Sequence, residues 1–167
     1  LTYVEQIEED IARIKIRREH HREPHILDYD ARDIAELKAR RRRELAAILA
    51  DLRNRPDLAR RLALLVSIPG IGERTAVSLV VRMPELGRLD REQIAALAGL
   101  APFDDQSGKR TGARHIAGGR ARVRTALFRA AFPAAFRWNP ALVDLYRRLT
   151  ARGKPFHLAI VACARKL

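Results

Sequence analysis

Apolar residues recur along this chain at helical spacing, and almost nowhere at strand spacing. Val4, Ile7, Ile11 and Ile14 fall on one face with charged residues between them, which predicts a helix over 1–22. Pro24 interrupts the pattern, so residues 23–30 read as a break. Ile34, Leu37, Leu45, Ile48, Leu49 and Leu52 then mark a second helix from about Ala31 to Arg55, with Asp30 as its N-cap. Both helices are polar for their length. They predict a helical hairpin or coiled coil over 1–57 that packs on a partner or a second copy, or else a solvated strut.

From residue 58 the pattern becomes denser. A short helix is predicted over 58–66 and another over Glu73–Met83. A third, over 91–98, has Asp90 as N-cap and Gln93 in the capping-box position. Residues 101–119 carry Gly108, Gly112, Gly118 and Gly119 with few apolar side chains, and read as a long loop or short β-hairpin inside a helical protein. Helices resume over 119–136, with Pro133 as a kink. Another starts at Asn139-Pro140 with Asn as N-cap and closes at Gly153, and the last begins near Pro155. The predicted fold is mainly α: a helical hairpin or coiled coil, then a helical domain over 58–167 that holds a helix-hairpin-helix motif and a short Gly-rich loop or β-hairpin.

Composition agrees. Of 167 residues 47% are apolar, enough for a core, while only 5% are aromatic. Charge adds more. Of 33 Lys and Arg, 14 lie in residues 106–167, leaving 19 before them; of 20 Asp and Glu, only Asp144 lies there, leaving 19. The whole net charge of +13 therefore sits on the last third of the chain. A high-GC proteome would favour Arg over Lys, but it does not explain why the acids stop at residue 105. A field of one sign on one lobe suits a binder of phosphate backbones. The lone cysteine, Cys163, excludes an internal disulfide and reads as a small core residue. No apolar run approaches a membrane span, and the expected setting is prokaryotic cytoplasm. Leu1 at the start and Lys166-Leu167 within a helical pattern at the end suggest a piece of a longer protein.

Two segments carry candidate chemistry. Residues 64–80, with Ser67-Ile68-Pro69-Gly70-Ile71-Gly72 at their centre, match the helix-hairpin-helix pattern. In that reading Gly70 and Gly72 take backbone angles closed to other residues, and their amides join those of the next helix start in facing a phosphate. Arg74 and Thr75 stand beside them, Ile71 plugs the hairpin into the core, and Ala76 allows the helices to approach. The alternative is a tight turn that touches no ligand. In the second segment Ser107 stands beside Gly108, followed by Lys109, Arg110, Arg114, His115, Arg120, Arg122 and Arg124. Cations around a hydroxyl can hold a phosphodiester, favour a more nucleophilic oxygen and stabilise charge on the non-bridging oxygens. A loop serine that binds phosphate or caps a turn satisfies the same residues.

Other groupings are weaker. His20, His21, His25 and Asp28 match no standard zinc spacing, so no metal is expected there. Phe136 and Trp138 could stack on bases, but helical spacing favours core packing. The run Arg40–Arg43 could meet nucleic acid or form a solvated face, since Glu36 and Glu44 lie within a turn.

Taken in order, Ser67-Ile-Pro-Gly-Ile-Gly, Ile94-Ala-Ala-Leu-Ala-Gly-Leu-Ala-Pro, Ser107-Gly, His115-Ile-Ala-Gly-Gly-Arg, Asn139-Pro and Gly153-Lys-Pro closely resemble the C-terminal domain of the DEDD-type insertion-sequence transposases, also described as bridge-RNA-guided recombinases. The resemblance covers roughly residues 58–167. It implies that Ser107 is the nucleophile that becomes joined to DNA, with DNA and a guide RNA as partners and a homo-oligomer, dimer or tetramer, as the working state. In that family a RuvC-like domain carries four metal-binding acids. That domain is absent here, so no cofactor is expected in this chain and Mg only in the domain it lacks. Asp30 and Asp33 have the Asp-x-x-Asp spacing of the family's last two acids but lie too close to Pro69, and read as capping and surface residues. The alternative function is a non-catalytic helix-hairpin-helix module for DNA or RNA binding and oligomerisation.

Overall fold

In a computed structural model the protein is mainly α-helical. The structure describes residues 1–103, 106–107, 110–111, 115–116 and 118–167, with the backbone alone at 103, 106, 107, 110, 111 and 115. The chain divides into two compact units, Leu1–Ala59 and Arg60–Leu167.

In the first unit α1 (Thr2–Arg18) lies antiparallel to α2 (Pro24–Arg53). Ile7, Ile11 and Ile34 form a small buried core, with Ile14 and Leu37 packed against it. Polar residues fix the register. Arg41 pairs with Glu8 at 3.5 Å, and Arg17 pairs with Asp30 at 3.0 Å near the opposite end. Two expectations are corrected here. The break is shorter than 23–30, because Pro24 opens α2 at its first turn, where its fixed φ suits the helix and its missing N–H removes no bond. Glu23, not Asp30, is the N-cap, and it makes no side-chain capping bond. Asp30 lies well inside α2, is only 2% exposed, and accepts from Arg17 Nη2 at 3.0 Å and from His21 Nδ1 at 2.7 Å. Burial alone would raise its pKa, but the bonds from Arg17 and His21 outweigh burial and hold it below the ordinary carboxylate range. Asp33 is exposed, as expected.

The second unit contains α3 (Pro56–Val66, which begins in the first), α4 (Glu73–Arg82), α5 (Arg91–Leu97), α6 (Ala121–Pro133), α7 (Pro140–Ala151) and α8 (Phe156–Lys166). Asp90 caps α5 through the amides of Glu92 and Gln93, and the Gln93 side chain returns the bond to the Asp90 amide, completing the capping box. Asn139 caps α7 and Pro140 follows it, also as the sequence predicts. At Pro133 the helix does not simply kink. A π-helical stretch, Ala134–Trp138, continues it to Asn139, whose amide reaches back five residues to the Ala134 carbonyl at 3.0 Å. The core is built mostly from small and aliphatic side chains. Ala76, Val77 and Met83 on and after α4, Val123 and Ala131 on α6, and Ala159, Ile160 and Cys163 on α8 are all fully buried. Cys163 is the packing residue its setting suggests, and burial raises its thiol pKa.

Between α5 and α6 the chain forms two separate antiparallel ladders of two strands each. Pro102–Phe103 (β1) pairs with His115–Ile116 (β4), and between these in sequence Gln106–Ser107 (β2) pairs with Arg110–Thr111 (β3). Among the described residues no helix is long and apolar enough to cross a membrane.

Candidate nucleic-acid interface

The turn between α3 and α4 is held by its own residues and by the α6–α7 junction. The Ser67 hydroxyl donates to the Leu64 carbonyl at 2.8 Å, which satisfies an end of α3. Gly70 has φ +102°, and a methyl group there would overlap the Ala134 side chain. Asn139 Nδ2 donates to the Pro69 carbonyl at 3.1 Å. Ile71 is buried, and its amide bonds to the Ile68 carbonyl at 2.9 Å. Gly72 departs from expectation. At φ −82° and ψ 166° it is ordinary extended backbone, with nothing within 4 Å of a built Cβ. Only the first glycine of the pair is therefore demanded by backbone angle. Gly72 is the N-cap of α4 and brings no side-chain cap, so the helix start is not covered by its own cap residue. Arg74 is exposed there, Thr75 is half-buried, and Ala76 is fully buried.

The ends of the Ser-Gly segment are pinned together by backbone. Gly99 and Gly119 both have positive φ and stand against one another. A methyl on Gly99 would overlap the Gly118 carbonyl, and one on Gly119 would overlap the Gly99 backbone. The Arg120 amide donates to the Leu97 carbonyl at 2.7 Å. Arg124 Nη1 donates to the Gly118 carbonyl at 2.7 Å. Arg120 grips Glu85 with both guanidinium nitrogens, at 2.7 and 2.6 Å, and also donates to the Arg82 carbonyl at 2.8 Å. Two of the cations that the sequence offers to a phosphate are thus engaged within the protein, where they pin the ends of the segment between α5 and α6. Arg122, in the first turn of α6, is exposed. Ser107, Arg110 and His115 lie on the ladders, with Ser107 opposite Arg110, and their backbone alone is described. Lys109 and Arg114 fall outside the described residues.

Two supporting residues escape sequence reasoning. Glu85 sits in a Pro-Glu-Leu-Gly turn that reads only as punctuation, and nothing local signals its partner 35 positions away. Arg61 Nη2 lies 3.1 Å from the carbonyl oxygens of Met83, Pro84 and Leu86, closing the end of α4. The bonds from Arg120, with the Glu85 amide, lower the Glu85 pKa from an ordinary 4.5 to about 2. The folded state thus favours the ionised carboxylate. The stability this lends is full above pH about 4.5 and fades as pH falls toward about 2. The expected result is that Glu85→Gln lowers the thermal midpoint at pH 7, and that the gap from wild type narrows steadily in melts taken between pH 4.5 and 2.5. A gap that stays constant over that range would remove the pair from the stability of this unit.

The aromatics correct another expectation. Phe136 is 50% exposed and Trp138 57% exposed, so neither is a core residue. Helical spacing places them on one end of a helix, but the π-helical stretch and the small side chains beneath it leave the rings outside. Among the described residues, no three His, Cys, Asp or Glu side chains stand together so as to hold a metal ion. His21 is bonded to Asp30.

With this geometry in hand, comparison with known proteins gives a consistent result. The sequence profile of the transposase IS116/IS110/IS902 family matches residues 62–147, which hold α4, α5, the four short strands and α6, with the end of α3 and most of α7. The chain is 35% identical over 115 residues to a pilin gene-inverting protein of Moraxella bovis, covering 67% of this chain and 36% of that protein. A pilin gene-inverting protein of Moraxella lacunata is similar to the same degree, 35% over 115 residues. An uncharacterized 43.6 kDa protein of insertion element IS110 from Streptomyces coelicolor is 36% identical over 104 residues, 61% of this chain and 25% of that protein. The chain therefore matches about a third of the length of the two Moraxella relatives and a quarter of the third. Because the profile takes in more than half of the residues, the chain belongs to the IS116/IS110/IS902 transposase family.

Proposed function

We propose that this chain is the C-terminal, DNA-handling part of an insertion-sequence transposase, and that Ser107 is the nucleophile of DNA strand cleavage and exchange. One observation supports this most. The Gly99–Gly119 contact, the Arg120–Glu85 pair and the Arg124 bond fix the two ends of the segment that carries Ser107. A nucleophile must be held in place relative to its phosphate, and a loop that merely connects two helices needs no such frame. Attack of the serine oxygen on phosphorus would form one P–O ester bond while breaking another, the hydroxyl proton passing to the departing sugar oxygen or to water. The balance of bonds is unchanged, so the joined state is reversible and suited to strand exchange. The α3–α4 turn, read as a helix-hairpin-helix, would hold the DNA backbone through the start of α4 and Arg74 and Thr75. Lys109, Arg110, Arg114, His115 and Arg122 would add phosphate contacts, while Arg120 and Arg124 serve chiefly the frame. A guide RNA and a second copy of the protein, the latter through the first unit, complete the proposed assembly. Catalytic metal, Mg in this reading, belongs to a domain outside this chain.

Binding of duplex DNA by the 167-residue chain is expected to be steeply salt-dependent. Four to five neutralised phosphates give a slope of about −4 in log K against log salt, or roughly a 200-fold loss between 50 and 200 mM. A slope near zero in a fluorescence anisotropy titration would sink the DNA-handling reading. The second reading, a binding module without chemistry, shares this salt dependence and is separated from the first by Ser107→Ala.

A further inference from the structure

Six aromatic rings form one connected network on the second unit, and most of it faces solvent. Phe132 and Phe136 lie 5.2 Å apart between centroids, and Phe136 and Tyr146 4.8 Å. Phe156 joins Phe132 at 6.0 Å and Tyr146 at 6.4 Å, and His157 continues the row from Phe156 at 5.3 Å to Phe128 at 6.3 Å. Phe132 is 47%, Phe136 50% and Phe156 40% exposed. Two residues beyond Phe136, Trp138 is also exposed, with the Arg137 guanidinium 4.9 Å from its ring centre. The end of α6, the π-helical stretch, α7 and the start of α8 all contribute, so the surface depends on the fold of the unit and not on one helix face.

The charge around these rings narrows the partner. Arg137 follows Phe136, Arg147 follows Tyr146, and Lys154 precedes Phe156 by two residues; all three are exposed. The one acid after residue 105, Asp144, is two residues before Tyr146 and so about 200° around α7 from it. The same face of a second copy docking here would set like charges against each other. A polyanion that also has flat apolar faces meets both features, and a duplex hides those faces in its stack. We propose that this aromatic surface is a stacking site for unpaired bases of a single-stranded nucleic acid, distinct from the α3–α4 turn and the ladders. It rests on the reading of the chain as a nucleic-acid-handling unit. Stacking on aromatic side chains is tolerant of sequence, because every base has a π face. The surface would thus hold strands opened during exchange without selecting them.

The test uses the 167-residue chain, a labelled 15-nucleotide oligothymidylate and a duplex of equal length. Trp138 is the chain's only tryptophan and lies two residues from Phe136, so its emission reports binding close to the surface. The oligothymidylate is expected to quench that emission. Phe136→Ala and Phe156→Ala are each expected to weaken single-strand binding about tenfold or more, while duplex binding stays within twofold. Phe136→Trp is expected to restore single-strand affinity. Both rings are substantially exposed, so thermal midpoints should change little, and a variant that melts early is replaced by Phe136→Gln. Equal losses on strand and duplex, or an unchanged single-strand affinity, would overturn the stacking site while leaving the duplex reading intact. So would a Phe136→Ala variant whose only change is reduced self-association in sedimentation. Failure of the wild-type chain to bind either DNA would overturn both readings together.

Discussion

Gly119→Ala is expected to lower the thermal midpoint of the 60–167 unit by about 15 °C, and Gly118→Ala by far less. Both glycines have φ +64°, so either substitution places an alanine in the left-handed region, at about 1–2 kcal/mol. Only at Gly119 does a Cβ meet backbone: the amide nitrogen and Cα of Gly99, and the Ala96 carbonyl at 2.8 Å. At Gly118 nothing lies within 4 Å. Backbone cannot swing aside as a side chain can, so overpacking adds about 1–3 kcal/mol at Gly119 alone. The total, about 3–4 kcal/mol, is a large share of the 5–15 kcal/mol that stabilises a domain, and for a unit of this size each kcal/mol is worth about 4–8 °C. Circular dichroism melts of the two variants and wild type decide the matter. Equal midpoints for the two variants would mean that Gly99 and Gly119 do not bear on each other in solution.

The pair also shows what a sequence can and cannot disclose. Gly118-Gly119 is visible as a break between a loop and a helix, but nothing in its spelling says which glycine is crowded or that Gly99 is the partner. The same holds for Arg120 and Arg124. Charge pattern alone assigns them to a phosphate, because a guanidinium looks the same whether its acceptor is a ligand or Glu85. By contrast, features whose cause is local were legible. Asp90 with Gln93, and Asn139 with Pro140, each complete their bonds within four residues, and the capping geometry follows from the chain itself. Pro24 reads as a break for a local reason too: proline excludes helix before it, yet it starts one well. Asp30 then lost its role as a cap and became the buried acceptor for Arg17 and His21. Spacing puts Phe136 and Trp138 in the core only for an unbroken α-helix, and the π-helical stretch after Pro133 is not a property of spacing.

The ladder around Ser107 bears on the largest functional effect. In the full-length parent protein, with its nucleic-acid partners present, Ser107→Ala is expected to abolish a covalent protein–DNA adduct and to lower strand exchange by roughly a millionfold, the scale on which loss of a nucleophile acts in covalent enzymes. Binding should change much less. A neutral hydroxyl contributes about 0.5–1.5 kcal/mol to any hydrogen bond it makes, so affinity should fall at most about tenfold. Stability should hold as well, since β2 pairs with β3 through backbone that alanine retains. That separation is what distinguishes a nucleophile from a loop residue that docks phosphate. Denaturing gels of trapped reactions, read beside anisotropy titrations and melts, give the three quantities. An adduct that persists in Ser107→Ala would transfer the chemistry to another residue. If neither protein forms an adduct while exchange continues, the unit is a binding module whose pinned loop presents cations and not a nucleophile. The Glu85–Arg120 clamp would then act on affinity alone, and Glu85→Gln would weaken DNA binding without altering the rate of exchange at saturating DNA.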